Sequence, residues 1–321
     1  MPISWSKTNG PAEYAIKTYK TPLAFETALK QYARDIVRNQ KSGTVDAVMR
    51  GFYFQRLTAR VFQSDPDGWL LKGGQALLVR YPAAARLSKD IDLQRLTNDS
   101  SMNEALDALL NAASLDLNDF LRYIPGRIDR HGNENGGVKQ SFQVLIGNRK
   151  VDTIHVDLVA RRNITATPQS AQLYPRPDLP WPTDWPTIKL YPLVDHLADK
   201  ICAMHEWHGT VPSGRFRDLA DILLISQNEA LDAAATHHAL HTEASLRRAS
   251  NGPELRLPDR FVTPHDGWPA GYRRAAADVA GLRSCDTWDT ALPAAEAFLA
   301  PLLGPAFTGT WCPEQGTWSP G

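Results

Sequence analysis

Apolar residues recur every three or four positions through PLAFETALKQYARDIVRNQ and again through TVDAVMRGFYFQRLTARVFQ. The chain is therefore expected to hold two amphipathic helices near its start, with Thr44 and Asp46 helping to begin the second. The pattern then changes. DPDG (Asp65 to Gly68) reads as a turn, WLLK as a short apolar strand stopped by Gly73 and Gly74, and QALLVRYPAAAR as a short helix ended or bent by Pro82. Alternation in LSKDIDLQRL predicts a strand that sends Ser88, Asp90 and Asp92 to one face and Ile91 and Leu93 to the other. SMNEALDALLNAASLDLNDFL follows as a helix capped by Ser100 or Ser101. YIPGRIDRH, VKQSFQVLIG and DTIHVDLVA read as three strands divided by the turn formers GNENGG and GNRK. Residues 64–160 thus form strand, helix, strand, helix and an antiparallel meander.

Frequent proline in YPRPDLPWPTDWPTIKLYP opposes regular helix and predicts an extended linker or a surface wrap. Beyond it, LVDHLADKICAMHEWH, RFRDLADILLISQ, AATHHALHTEASLRRAS and ALPAAEAFLAPLL carry helical spacing. FTGTWCPEQGTWSPG reads as a strand hairpin or a draped coil. The expected organisation is an N-terminal helical region over 1–63, a core over 64–165, a Pro-rich linker over 166–192 and a mainly helical part over 193–321.

Composition narrows the classes. With 43% hydrophobic and 22% charged residues among 321, the chain is neither disordered nor fibrous. Lys and Arg number 35 and Asp and Glu 35, so a nucleic-acid partner must be met by a local basic patch. Cys202, Cys285 and Cys312 are odd in number and form no CxxC pair, which suits a reducing cytoplasm. The first residues lack the apolar stretch of a signal peptide, and no apolar run is long enough to span a bilayer. A cytoplasmic protein without a membrane partner is expected.

Several patterns bear chemistry. Gly73 and Gly74 between strand and helix suit phosphate oxygens at a helix start, or simply a tight turn. Asp90 and Asp92 on one strand face repel each other unless a divalent cation lies between them; a solvated edge is the alternative. Asp157, between the core-seeking Val156 and Leu158, is the candidate third carboxylate, whereas Asp152 lies nearer the turn. Lys200 sits among Leu197, Ile201, Ala203 and Met204, where an ammonium wants an anion such as phosphate or else snorkels to the surface. Asp218 and Asp221 are one turn apart, and Arg217 is spaced to pair with Asp221. His205 and His208 lack the HExxH spacing of a zinc protease, and His237 with His241 have no clear third ligand. Arg161/Arg162, Arg247/Arg248 and Arg273/Arg274 fit a nucleic-acid groove and solvated faces equally well.

In order, RLTARVFQ, WLLKGGQALLVRYPAAARLSKDIDL, HVDLV, YPLVDHLADKICAMHE and RFRDLADILL, within residues 45–226, resemble the AbiEii/AbiGii-type nucleotidyltransferase toxins of bacterial toxin–antitoxin and phage-abortive-infection systems. The resemblance implies an α+β fold: a polymerase-β-like nucleotidyltransferase core with a mixed sheet, N-terminal helices and a helical C-terminal domain. It implies an enzyme that uses Mg2+ or Mn2+ to transfer NMP from an NTP to RNA. By likeness to MenT-like members the acceptor is the 3′ end of tRNA, and the result is blocked translation. An AbiEi-type antitoxin partner, acting by binding or through gene regulation, is implied too. The family's first motif falls on Gly73, Gly74, Ser88, Asp90 and Asp92, the second on Asp157, the third on Lys200 and the fourth on Arg217 and Asp218. The implied metal ligands are Asp90, Asp92 and Asp157. The implied catalytic residues are Asp90, Asp92, Lys200 and Asp218, and the implied nucleotide contacts are Gly73, Gly74, Ser88, Lys200 and Arg217. HGTVPSG lengthens the link ahead of the fourth motif, which leaves Asp218 and Asp221 both open as its acid. Arg86 matches a frequent arginine ahead of the acidic pair, without an implied role. The alternatives are transfer to a small molecule or a protein hydroxyl, and a non-catalytic nucleotide-binding regulator.

Overall fold

The computed structural model describes residues 19–40, 43–82, 84–96, 101–130, 137–160, 163–173, 185–250 and 252–321. The two expected helices form as α1 (Pro22–Gln40) and α2 (Val45–Ser64). Thr44 caps α2, its hydroxyl accepting from the Ala47 N–H at 3.2 Å. Next come β1 (Trp69–Lys72), α3 (Gly73–Arg80), β2 (Ile91–Arg95), α4 (Met102–Ala113), β3 (Leu121–Arg130), β4 (Val138–Ile146) and β5 (Arg149–Val159). With β6 (Gln169–Gln172) and β7 (Thr187–Leu190) they build a seven-stranded sheet of order β3-β4-β5-β2-β1-β7-β6. The sheet is mixed: β2 with β5 and β1 with β7 run parallel, and the other neighbours run antiparallel.

There are four local differences from the expected pattern. The helix α3 takes Gly73 and Gly74 into its own first turn and ends at Arg80, two residues before Pro82, whose ring cannot continue it. Strand β2 starts only at Ile91, so Ser88 and Asp90 lie in the loop ahead of it. Helix α4 ends at Ala113; its start is fixed by a capping box in which Ser101 and Glu104 exchange hydrogen bonds of 3.2 and 2.6 Å. The segment expected as a linker contributes β6 and β7 to the sheet at its two ends, and its residues 174–184 lie outside the described residues. Residues 132–136 of the GNENGG turn lie outside the described residues.

After α4 the chain turns through Asn118 and Phe120, both at left-handed φ of 53° and 56°. Between them Asp119 is fully buried, accepting from Arg56 Nε at 2.7 Å and Arg60 Nη2 at 2.6 Å. Two charged side chains from α2 thus hold the strained turn and the start of β3.

The second half comprises α5 (Leu193–Met204), the short strands β8 (Glu206–His208) and β9 (Val211–Pro212), α6 (Phe216–Ser226), β10 (Leu231–Asp232), α7 (Ala233–Ala249) and β11 (Glu254–Leu255). It continues with α8 (Trp268–Ala276), α9 (Trp288–Leu303), β12 (Gly309–Cys312) and β13 (Thr317–Pro320). Of the two forms expected for the C-terminal tail, hairpin or draped coil, it takes the hairpin, β12 against β13, with β10 added on its edge. Among the described residues there are two apolar cores. Phe54, Phe62, Trp69 and Phe142 belong to the first, under the sheet. Ile201, Leu223, Trp268 and Phe298 belong to the second, among the C-terminal helices. Helix α3 gives Ala76 and Val79 to the first and Leu77 and Leu78 to the second, which places its glycine end at the seam. Among the described residues no helix is long and apolar enough to cross a membrane.

Candidate active site

Sheet register builds one side of the site. Lys139 of β4 pairs with Asp157 of β5, Asp157 with Asp92 of β2, and Asp92 with Lys72 of β1. A single rung across four strands therefore reads Lys, Asp, Asp, Lys, and directly paired residues share a sheet face. Their chain neighbours Ile91, Leu93, Val156 and Leu158 are buried in the core on the other face. Asp90, just ahead of β2, adds a third carboxylate. Oxygens of Asp90, Asp92 and Asp157, all half-buried, lie within 4.8 Å of one another. Asp152 instead bridges Arg50 of α2 at 2.9 Å.

The three acids carry more negative charge than their surroundings neutralise. Burial pushes the Asp92 carboxyl up, and the charges of Asp90 and Asp157 push it further, to about 7. Three converging carboxylates are the hard oxygen donors that a divalent cation such as Mg2+ prefers. The residues present fit such an ion. The glycine pair allows α3 to approach: Gly73 has φ +58°, and a Cβ there would run into the Asp92 carboxylate. A Cβ on Gly74 would stand 2.9 Å from the Ser88 hydroxyl. Both glycines line the cleft, at a helix start whose first N–H groups have no intrahelical acceptor. The Ser88 hydroxyl donates to the Asp90 main-chain oxygen at 2.9 Å and so shapes the loop that presents Asp90.

The other wall of this cleft, a cavity of about 870 Å³, comes from α5, α6 and α8. Lys200 on α5 donates to Asp218 at 2.8 Å and to Asp221 at 2.7 Å, both on α6. Arg86 grips Asp221 through two bonds of 2.9 and 3.2 Å, and Arg215 reaches Asp218 at 2.5 Å. Burial pushes the Asp218 carboxyl up, but Lys200 and Arg215 outweigh it and hold the group at about 2. Burial likewise works against the Lys200 ammonium, and Asp218 and Asp221 overcome it.

The expected residues therefore fall into two groups. Asp90, Asp92 and Asp157 converge beside Gly73, Gly74 and Ser88. Lys200, Asp218 and Asp221 form a separate buried network, and the anions that Lys200 requires are carboxylates of its own chain. Arg217 does not take the expected i,i+4 pairing, because Asp221 is already held by Arg86 and Lys200. It is exposed on the cleft wall, as are Lys89 and Arg274, and among the described residues no ion pair engages these three. Arg247 is committed to Asp199, Glu206 and Glu243, while Arg161 and Arg162 lie outside the described residues.

Three residues beside these acids and the cleft were not marked by the sequence patterns. Lys139 lies 3.1 Å from Asp157 and 3.8 Å from Asp90. Lys72 reaches Asp199 at 2.9 Å with its ammonium 3.8 Å from the Tyr191 ring centre. His196, one turn before Lys200, is buried without a hydrogen bond to either ring nitrogen among the described residues. Burial and then the Lys200 charge hold it neutral. Its i,i+4 spacing to Lys200 was visible in LVDHLADK, but nothing there separates a cleft histidine from a core one.

Residues 55–294 match the AbiEii family, described as a nucleotidyl transferase AbiEii toxin of a type IV toxin–antitoxin system. No curated protein matches the sequence. Among solved structures the chain is similar to MenT4, a nucleotidyltransferase toxin from Mycobacterium tuberculosis H37Rv, at TM-score 0.53 and 15% identity over 86% of this chain and 97% of that one. It also aligns with a protein from H. pylori described as a nucleotidyltransferase, at TM-score 0.44 and 14% identity over 79% of this chain and 92% of that one. The likeness to MenT4 is one of fold.

Proposed function

The chain belongs to the AbiEii family of nucleotidyltransferase toxins of type IV toxin–antitoxin systems, and from that premise we propose that it transfers NMP from an NTP to the 3′ end of tRNA and so blocks translation. Family membership implies an NTP substrate, a divalent metal and an antitoxin partner. The carrying observation is the convergence of Asp90, Asp92 and Asp157 beside the Gly73–Gly74 helix start.

In this reading Asp90, Asp92 and Asp157 hold Mg2+ or Mn2+. When bound, the ion supplies neutralisation of phosphate charge and favours ionisation of the attacking hydroxyl. The N–H groups at Gly73 and Gly74 take phosphate oxygens. Arg217, with Lys89 and Arg274 beside it on the cleft wall, meets the remaining phosphate charge of nucleotide and acceptor, since none of the three is spent on an internal acid. Ser88 keeps Asp90 in place. Asp218, Asp221 and Arg86 hold the Lys200 ammonium at the cleft, where it favours the negative charge that builds on departing pyrophosphate. The acceptor 3′-oxygen bonds to the α-phosphorus, the bond to the bridging oxygen breaks, and the hydroxyl proton passes to a carboxylate of the cluster.

The test is incubation with each labelled NTP, Mg2+ and total tRNA, beside the Asp90→Ala variant. Label is expected in tRNA with the parent protein only. Label in protein or in small molecules would replace the acceptor, and no label in any fraction would contradict transfer.

A further inference from the structure

The rung Lys139–Asp157–Asp92–Lys72 places a lysine at each end of the carboxylate pair, yet the two lysines are differently employed. The Lys72 ammonium is held by groups outside the cluster: Asp199 takes it at 2.9 Å, Gln94 accepts at 3.3 Å and the Tyr191 ring lies beneath it, so its charge acts on Asp92 from a fixed position. The anionic partners of Lys139 are acids of the cluster themselves, Asp157 at 3.1 Å and Asp90 at 3.8 Å. Its side chain is about one-third exposed, so the ammonium has solvent to move into, whereas Lys72 is buried.

From this asymmetry we propose that Lys139 is a built-in counter-cation of the carboxylate cluster, which competes with the divalent ion and sets the affinity with which Asp90, Asp92 and Asp157 take it. Without metal, the ammonium neutralises part of the charge of three converging acids. A divalent ion that engages Asp157 takes an oxygen that Lys139 holds, so the ammonium must withdraw toward solvent while a like charge enters nearby. Both effects weaken metal binding relative to a site lacking this lysine. Such a site is kept folded and partly neutralised when empty, and it loads only when the ion brings enough binding energy to displace Lys139. The proposal rests on reading the three acids as a metal site.

The measurement is calorimetric titration of the whole chain with Mn2+ at fixed pH and ionic strength, without nucleotide, for the parent and for Lys139→Met, Lys139→Arg and Asp92→Asn. Removing the charge in Lys139→Met is expected to tighten Mn2+ binding about tenfold. Lys139→Arg, which keeps the charge, should bind within about twofold of the parent, and Asp92→Asn should lose binding. In EDTA, Lys139→Met should melt below the parent, and Mn2+ should close that gap. Equal or weaker binding by Lys139→Met overturns the role of Lys139 while leaving the metal site intact. Tightening by Lys139→Arg to the same extent as by Lys139→Met would show that shape rather than charge matters, and overturns it too. No binding by the parent overturns the metal site and this inference together.

Discussion

Two acidic groups face one cleft, and their charge balance differs. On the α5–α6 side, Asp218 and Asp221 are nearly inaccessible, and three cations, Lys200, Arg86 and Arg215, meet them at 2.5 to 3.2 Å. On the sheet side, Asp90, Asp92 and Asp157 are half-buried; Lys139 pairs with Asp157 and Asp90, and although Lys72 and Lys200 also act on Asp92, burial and the two neighbouring acids outweigh them and push it up to about 7. A compensated cluster is structure; an uncompensated one calls for a cation. Motif order alone puts Asp90, Asp92, Asp157 and Asp218 on the same footing. The geometry separates them into a cluster whose charge is not balanced and an acid already paired with Lys200 and Arg215; under the proposed function the first would hold the metal and the second would position Lys200.

Breaking the balanced side should cost most in stability. Lys200→Met leaves two buried carboxylates without their shared ammonium and is expected to lower unfolding free energy by about 3–5 kcal/mol, read from urea midpoints in EDTA. Asp92→Asn, which removes a repelling charge, should be no less stable than the parent under the same conditions. A Lys200→Met protein as stable as the parent would dissolve the distinction. A smaller effect concerns acid. The Asp218 carboxyl is depressed from an ordinary 3.8 to about 2, so its contribution is full above about pH 4 and is lost as pH falls toward 2. That contribution amounts to roughly 2 kcal/mol. Asp218→Asn should be less stable at neutral pH and lack this part of the acid-limb decline; an unchanged slope between pH 4 and 2 would count against the Lys200 and Arg215 pairing.

Much of this arrangement was legible in the sequence, for reasons of periodicity. Alternating apolar neighbours put Asp92 and Asp157 on the strand faces turned away from the core, and the glycine pair marked the strand-to-helix junction. What escaped depended on register and distance. A two-residue turn at Gly147 and Asn148 sets Ile146 against Arg149, and counting straight back would place Val138 opposite Asp157. An irregularity between Val144 and Leu145 leaves Val151 unpaired and shifts the register by one, so Lys139 takes that place instead. Nothing in VKQSFQVLIGNRKVDTIHVDLV marks that bulge. Arg86 and Asp221 are 135 positions apart, and local spacing favoured Arg217 as the partner, one turn away. β6 and β7 are four residues each in a proline-rich stretch, too short for alternation to register as strand.

The sharpest test of the separation is divalent binding, measured by Mn2+ titration, in Asp92→Asn against Asp218→Asn, with folding of each checked by circular dichroism. The structure predicts that Asp92→Asn loses the ion while folded Asp218→Asn retains it at near-parent affinity. Retention by Asp92→Asn together with loss by a folded Asp218→Asn would move the metal site to α6 and contradict the account.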